Sequence, residues 1–285
     1  MLKNVDIISF TEAFSKFSRI KFSSTGHLYS VDGKETPLSV TRLINIFLPK
    51  FERDKIAAAV AKKTKSSVDN IIKEWEFEKD IACIKGSIFH NYIDNYLANK
   101  ICNSDFTDSD ALITNPIARI DFRDTIDKLK GQFTEYYNNE YSKKYIHLKS
   151  EFIVGDLDAS NVCGTIDNLS INKETGNLAI LDYNTNKKID TVSKYNNSLI
   201  PPLDHLKQTK LVTYSLQIGI YKYIIEKHTP YKVDTGQILW FNEKNTSYQI
   251  FDVLNLDSDV STMFNCYNNY CDHVAIEQLD CSGFD

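Results

Sequence analysis

The stretch that decides the fold is Gly164–Lys188, GTIDNLSINKETGNLAILDYNTNKK. Two runs rich in Ile and Leu flank the polar segment Lys173–Gly176, whose glycine can adopt the positive φ that a tight turn requires. We therefore predict a β-hairpin. If the two asparagines that flank the turn pair with each other, Asp167 lies directly opposite Asp182.

Two carboxylates that face each other across a strand pair repel, so the sequence has to compensate for them. A cation between them, or a proton retained on one carboxyl, would do so. Oxygen ligands that converge at a strand end suit Mg²⁺ or Mn²⁺. The alternative is that both aspartates point into solvent at a frayed strand end. Alternation along the strands predicts the rest of this face to be Leu169, Ile171, Leu178, Ile180 and Asn184.

The composition is that of a globular protein. The chain has 285 residues, enough to bury a sizeable core, and its net charge of −5 argues against a wholly basic nucleic-acid binder. We find no apolar run long enough to span a membrane and no secretory signal at the N-terminus. Six scattered cysteines fit a reducing cytosol. We therefore expect a cytoplasmic protein.

Hydrophobic periodicity predicts an α/β fold: a mixed, mostly antiparallel central sheet flanked by helices, with an N-terminal helical region. We expect a single domain over 1–285, made of a hairpin and helices (1–140), a core sheet with a helix (141–255) and a C-terminal helix and tail (256–285). The predicted helices are 42–47, 52–65, 68–82, 87–97, 115–141, 211–227 and 258–275. The predicted strands outside the central hairpin are a small hairpin within 20–42, then 147–154, 237–241 and 247–251.

Several side chains have an ordinary structural explanation when each is considered alone. His90 lies at the edge of the apolar arc of helix 87–97, where a histidine is more often a core residue than a metal ligand. Glu151 alone is typical of a solvent-facing strand residue. Gln217 lies on the inward face of helix 211–227, so its amide needs hydrogen-bond partners or a cleft. Helix 52–65 turns Ile56, Val60 and its alanines inward, and its lysines form a solvated face or border a nucleic-acid channel.

Five motifs in order resemble the PD-(D/E)XK nuclease superfamily, specifically its RecB-like, phage-type exonuclease branch. They are Leu38-Ser39-Val40-Thr41, Gly86-Ser87-Ile88-Phe89-His90, Gly164-Thr165-Ile166-Asp167, Leu181-Asp182-Tyr183-Asn184-Thr185, and the helix segment from Tyr214 through Gln217 to Tyr221. Each motif is weak alone, and together they span about residues 29–225. The resemblance implies a restriction-endonuclease-like core.

The resemblance also implies site residues. His90, Asp167 and Asp182 would bind Mg²⁺ or Mn²⁺, with a main-chain carbonyl near Tyr183. Asp167, Asp182 and Glu151 would be catalytic acidic residues. The residues predicted to support the site or to contact nucleic acid are Gln217, Tyr221, Lys187 and Lys188.

One residue departs from the family pattern, because Asn184 stands where the family has a lysine. An asparagine orients water by hydrogen bonds, but it has no charge and cannot accept a proton. Three explanations stay open. Lys187 or Lys188 takes the place of the missing cation; a metal ion activates the water while Asn184 only orients it; or the protein binds nucleic acid without cutting it, natively or because the residue was altered.

The resemblance thus implies a divalent-metal-dependent DNA exonuclease that serves replication, recombination or repair in a bacterium or a phage-infected host cell. Its partner would be DNA, single-stranded or with free ends. The alternative is a catalytically inactive protein of the same fold that binds nucleic acid or a protein partner. Some relatives hold an iron–sulfur cluster with four cysteines, but here Cys83, Cys266, Cys271 and Cys281 lack a C-x-x-C spacing, so we do not expect a cluster.

Overall fold

The computed structural model describes residues 7–23, 28–35, 37–98, 112–114 and 119–273. Its helices are α1 (Ile7–Phe14), α2 (Val40–Ile46), α3 (Arg53–Thr64), α4 (Val68–Leu97), α5 (Arg123–Tyr136), α6 (Lys210–His228) and α7 (Asp257–His273). Its strands are β1 (Ile20–Ser23), β2 (Leu28–Val31), β3 (Lys34–Glu35), β4 (Leu38–Ser39), β5 (Leu112–Thr114), β6 (Arg119–Asp121), β7 (Tyr145–Asp156), β8 (Val162–Asn172), β9 (Leu178–Asn184), β10 (Val233–Trp240) and β11 (Gln249–Asp252).

The central sheet is mixed and mostly antiparallel, as the sequence predicts. Strands follow the order β11-β10-β9-β8-β4, and β7 pairs with the other edge of β8. The pairs β7–β8, β8–β9 and β10–β11 are antiparallel, whereas β9–β10 and β4–β8 are parallel. The fold class is therefore α/β, with helices on both faces of the sheet.

The central hairpin has the predicted register. Asn168 pairs with Leu181 and Ile171 with Leu178, and the two aspartates are the residues that directly follow the last pair of this ladder. Gly176 takes a φ of +77°, and its N–H donates to the Asn172 carbonyl at 2.8 Å. The glycine thus supplies the left-handed backbone conformation that this turn needs.

Two hydrophobic clusters cover the two faces of the sheet. The four apolar residues predicted to share the aspartate face, Leu169, Ile171, Leu178 and Ile180, all lie in the cluster that contains α2, α6 and α7 side chains. The alternate residues Ala179, Leu181 and Tyr183 lie in the other cluster, against α4 and α5. Strand alternation therefore decides which helices each face meets.

The N-terminal region contains the predicted small hairpin and, after it, a capped helix. β2 and β3 are joined by Asp32 and Gly33, both at positive φ, and β1 pairs with β2. Ser39 caps α2, because its hydroxyl accepts the Arg42 N–H at 3.1 Å.

Four local predictions were wrong. No break occurs at Gly86, because α4 runs unbroken from Val68 to Leu97. The helix expected from 115 begins only at Arg123, after the short strand β6. The strand expected to end before Gly155 continues to Asp156. Ile56 is 39 % exposed, since α3 is covered mainly through its small residues Ala57 and Ala61.

No helix in the described ranges combines the length and the apolar character that a bilayer crossing requires.

Candidate metal centre

The candidate site lies where the sheet divides. β8 pairs with β4 at Val162 and Cys163 and with β9 from Asn168 onward, both along the same edge. Between these two stretches the Asp167 carboxylate accepts the Tyr183 N–H at 2.8 Å. A side chain thus takes the place of a main-chain bond, and β8 and β9 begin to separate at the two aspartates.

His90 reaches this point from α4. Its Nε2 lies 3.0 Å from the Tyr183 carbonyl, which can only accept, so Nε2 carries the proton. Nδ1 lies 3.6 Å from Glu151 Oε1 and 3.8 Å from Asp167 Oδ2. The main chain of β9 therefore orients the ring through Nε2, as an N–H donated to a carbonyl commonly does in metal-binding histidines. This leaves Nδ1 facing the two carboxylates.

Gly86 lies where α4 passes the end of β9, and the spacing there does not itself require a glycine. A Cβ atom at this position would lie 3.8 Å from Thr185 Oγ1, with no other side chain or strand atom close by. The glycine and His90 are four residues apart in the same helix, so both are on the side of α4 that meets β9.

Glu151 joins the cluster through an unusual backbone conformation. It lies in β7 between the pairs Ser150–Asn168 and Phe152–Ile166, which places it opposite Asp167. Its φ is +46°, a left-handed value that costs a residue with a side chain about 1–3 kcal/mol. Sequence alternation does not reveal such a conformation, which brings a half-exposed strand glutamate to His90.

Together, His90, Glu151 and Asp167 each offer one donor atom, and the three atoms lie within 4.8 Å of one another. Opposed ligands of an octahedral Mg²⁺ are about 4.2 Å apart, twice the usual Mg–O distance. The donors are one imidazole nitrogen and carboxylate oxygens, a set that suits Mg²⁺ or Mn²⁺. The three donor atoms would therefore need to move only slightly closer together to bind such an ion.

The electrostatics of the cluster favour a positive charge. Burial lowers the pKa of His90, but the carboxylates around it outweigh burial and raise the pKa to about 9. Burial, followed by repulsion from Asp167, raises the pKa of Asp182 well above its usual range. Burial also raises the pKa of Asp167, although His90 and the Tyr183 N–H oppose the shift. Both aspartates therefore hold their protons more tightly than an exposed aspartate would, because they are buried near other carboxylates.

Asp182 lies beside the three converging residues, on the α6 side of the site. It is 7 % exposed, and its Oδ1 accepts from Gln217 Nε2 at 3.3 Å. The same amide nitrogen lies 3.5 Å from the Tyr221 hydroxyl. Gln217 and Tyr221 thus hold the aspartate from behind, which gives the inward-facing amide of α6 the partner it requires.

Gly164 allows this support to come close. A Cβ atom there would lie 2.6 Å from Tyr221 Cε1 and 2.8 Å from Val40 Cγ2. On the neighbouring residue, Thr165 Oγ1 lies 2.9 Å from the Tyr29 hydroxyl of β2. The N-terminal hairpin and α6 therefore both pack against the strand that carries Asp167.

Asn184, at the position of the family lysine, is 8 % exposed. Its Oδ1 accepts the Asn186 N–H at 2.9 Å, and the Asn186 amide donates to the Tyr214 hydroxyl. Burial, followed by the Asp182 charge, raises the pKa of Tyr214 to about 12. Asn184 is thus held in a neutral network beside the carboxylates.

The structure does not bring Lys187 to Asn184. Its Nζ pairs with Glu78 at 2.9 Å, with the lysine side chain 79 % exposed. Glu78 precedes His90 by twelve residues of α4, about 18 Å along the helix axis. Lys188 is exposed as well. Both lysines lie on the surface that leads away from the cluster.

Lys210 is a cation that the sequence analysis missed. It precedes Tyr214 by four residues and Gln217 by seven, so the three lie on one face of α6. Its Nζ is 5.9 Å from the centroid of the Tyr214 ring. The helical spacing was the available signal, and it places a positive charge at the end of the row that supports Asp182.

The cysteines considered for an iron–sulfur cluster are only partly described. Cys83 and Cys266 are exposed free thiols. Cys281 and the side chain of Cys271 lie outside the described residues.

Comparison with known proteins adds little. No protein-family model matches the chain, and no curated protein matches it. Among the solved structures that match, one described as "Crystal structure of SSO0001" has 10 % sequence identity and a TM-score of 0.28. The match covers 50 % of this chain and 59 % of that chain. At this TM-score we draw no conclusion from the likeness.

Proposed function

We propose that the protein is a divalent-metal-dependent nuclease that hydrolyses phosphodiester bonds of DNA, acting as an exonuclease on free ends. The observation that carries the proposal is the convergence of His90, Glu151 and Asp167 within 4.8 Å beside the buried Asp182. The five motifs that resemble the RecB-like branch add support, since all these residues except Glu151 belong to them. Its setting would be the cytoplasm, in replication, recombination or repair.

The roles of the residues follow from their contacts. His90, Glu151 and Asp167 would hold Mg²⁺ or Mn²⁺, with Asp182 completing the acidic side. A bound ion would supply Lewis acidity to the phosphate and an activated water. Asn184 would orient a water through its amide but cannot take its proton. Gln217 and Tyr221 would keep Asp182 in place.

The first test measures metal binding through its effect on the thermal unfolding temperature. This test does not depend on Asn184. Mn²⁺ and Mg²⁺ should each raise the unfolding temperature of the protein, because an ion at one hundred times its dissociation constant stabilises by about 2.7 kcal/mol. Asp167→Asn should abolish the rise. The matched control is Glu174→Gln, which removes a carboxylate from the exposed turn of the same hairpin and should leave the rise unchanged. A rise that survives Asp167→Asn would refute the site.

The second test is cutting of end-labelled single- and double-stranded DNA with Mg²⁺ or Mn²⁺. We expect products from linear DNA and none from closed circles, and we expect Asp182→Ala to be inactive. Products from closed circular DNA would mean that the protein is an endonuclease and not an exonuclease.

One observation favours a second function, nucleic-acid binding without cutting. Asn184 is neutral and its amide oxygen is already occupied by the Asn186 N–H. If Asn184→Lys cuts and the native chain only binds, this second function is correct. If neither cuts, the enzyme proposal is wrong.

A further inference from the structure

The segment 185–209 joins β9 to α6 and starts one residue after Asn184. It is anchored at its far end: Leu199 and Leu203 are buried, and the Ile200 N–H donates to the Phe47 carbonyl at 2.9 Å. A bridge between Ser198 and Lys207 closes the loop that contains these two leucines. The segment therefore presents a defined surface next to the candidate metal centre.

The tip of this segment, residues 192–195, exposes large apolar side chains. Val192 is 77 % exposed and Tyr195 is 74 % exposed. The Lys194 ammonium lies 5.2 Å from the centroid of the Tyr195 ring. An aromatic ring left in water beside a cation is the pairing that proteins use to stack bases and hold phosphates along single strands.

The charge of the segment supports the same ligand. It contains four lysines and two aspartates, in a chain whose net charge is −5. Asp190 is engaged at the start of α6, where its carboxylate accepts the Lys210 N–H at 3.2 Å. Within the described part of the chain, Lys188 and Lys194 form no ion pair with a carboxylate. The exposed tip is therefore locally basic.

The first residues of the segment lead away from the metal centre along α4. Thr185 lies beside Gly86, one helical turn from His90, and Lys187 pairs with Glu78, about 18 Å from His90 along α4. A nucleic-acid strand that runs from the carboxylates along this surface as far as Lys187 would thus span several nucleotides. This length suits a polymer rather than a mononucleotide.

We propose that Tyr195 is a stacking platform for unpaired bases, that Lys188 and Lys194 hold the adjoining phosphates, and that the substrate class is single-stranded nucleic acid. The inference rests on the proposed function for the reaction, but the binding itself needs no metal. Paired bases are already stacked within a duplex and do not offer a free face, so Tyr195 discriminates against duplex.

The test is fluorescence anisotropy of an end-labelled oligo-dT and of a matched duplex, in EDTA so that no cutting occurs. Tyr195→Leu keeps the bulk of the side chain but loses the aromatic face, and it should weaken oligo-dT binding about 5- to 150-fold. Tyr195→Trp should bind at least as tightly as the native protein. Duplex affinity should be the same in all three. Unfolding temperatures of the variants should match the native one, because the side chain is exposed.

A separate readout tests the lysines. Lys188→Gln and Lys194→Gln should each reduce the slope of log affinity against log salt for oligo-dT by about 0.7.

Three results with the Tyr195 variants would overturn the proposal: native oligo-dT affinity in Tyr195→Leu, an equal loss on the duplex, or a Tyr195→Trp variant as weak as Tyr195→Leu. The first of these would be expected if the tip instead docks a protein. Native protein that binds oligo-dT through Tyr195 but never cuts would refute the nuclease and leave this inference standing. Native protein that binds no oligo-dT would overturn the inference, whatever the metal titration shows.

Discussion

Gly164→Ala tests whether close packing of α6 against β8 holds the candidate site together. The added methyl group would lie 2.6 Å from Tyr221 Cε1 and 2.8 Å from Val40 Cγ2. Carbon atoms in contact prefer about 3.5–4.0 Å, so the overlap is about 1 Å on two sides. Tyr221 is only 4 % exposed and Val40 1 %, so neither side chain has space to move into.

Overpacking of this kind typically costs 1–3 kcal/mol, and we expect Gly164→Ala to lower the free energy of unfolding by about that amount. Displacement of Tyr221 would also move Gln217 away from Asp182, so metal affinity should fall together with stability. Urea unfolding measures the first effect, and a Mn²⁺ titration of the folded variant measures the second.

The matched control is Gly131→Ala in α5. Nothing lies within 4 Å of a Cβ atom there, and the position is exposed in a helix. The same substitution should therefore stabilise by about 0.5–1 kcal/mol, since alanine is the better helix former. The packing argument would be wrong if Gly164→Ala were as stable as the native protein, or if the two variants changed stability in the same direction.

Four further predictions follow from the site and its surroundings. Asp182→Asn should unfold at higher urea than the native protein at pH 7 without metal, and the difference should vanish at low pH. The reason is that burial raises the folded pKa of Asp182, so its ionisation weakens the fold as pH rises above about 4; an unchanged urea midpoint at pH 7 would contradict this. Asp156→Asn should cost about 1.5–3 kcal/mol at pH 7, because this fully buried carboxylate accepts from Lys227 at 2.9 Å and His228 at 2.7 Å. Burial opposes the charged form of Asp156, but these hydrogen bonds lower its pKa, so native stability is lost as pH falls below about 4 and the variant should have a shallower acid limb in urea unfolding. Lys187→Ala should leave the cutting rate at saturating DNA unchanged. It should change the free energy of unfolding by less than about 1 kcal/mol, since its ion pair is exposed. A large fall in the cutting rate would show that Lys187 acts in the active site. Lys210→Met should lower the cutting rate more than Lys187→Ala does, and equal rates of the two variants would remove Lys210 from the site.

Local patterns predicted much of the fold because local physics decides those elements. The turn Lys173–Gly176 contains a glycine at positive φ, and the register that it sets brings Asp167 opposite Asp182. The apolar alternation around it predicts which residues meet the α6 side of the sheet. The errors in helix bounds arose where tertiary contacts override propensity: Gly86 does not end a helix, because Phe89 and Ile93 beyond it are buried in the cluster against the sheet.

The same reasoning predicted only part of the candidate site. His90, Glu151, Asp167 and Asp182 were predicted by resemblance. The structure brings His90, Glu151 and Asp167 together, while Asp182 lies against Gln217. The position of Glu151 depends on a backbone conformation that no residue pattern encodes, and the outward direction of Lys187 depends on Glu78, far from it in sequence.

The sequence by itself determined the hairpin, its register and the alternation of its two faces, because turns and strand periodicity depend on neighbouring residues. Only the tertiary structure decided which charges meet. His90 and Glu151 are sixty-one residues apart in the chain. Their distance of 3.6 Å results from the packing of α4 on the sheet and from one strained residue in β7.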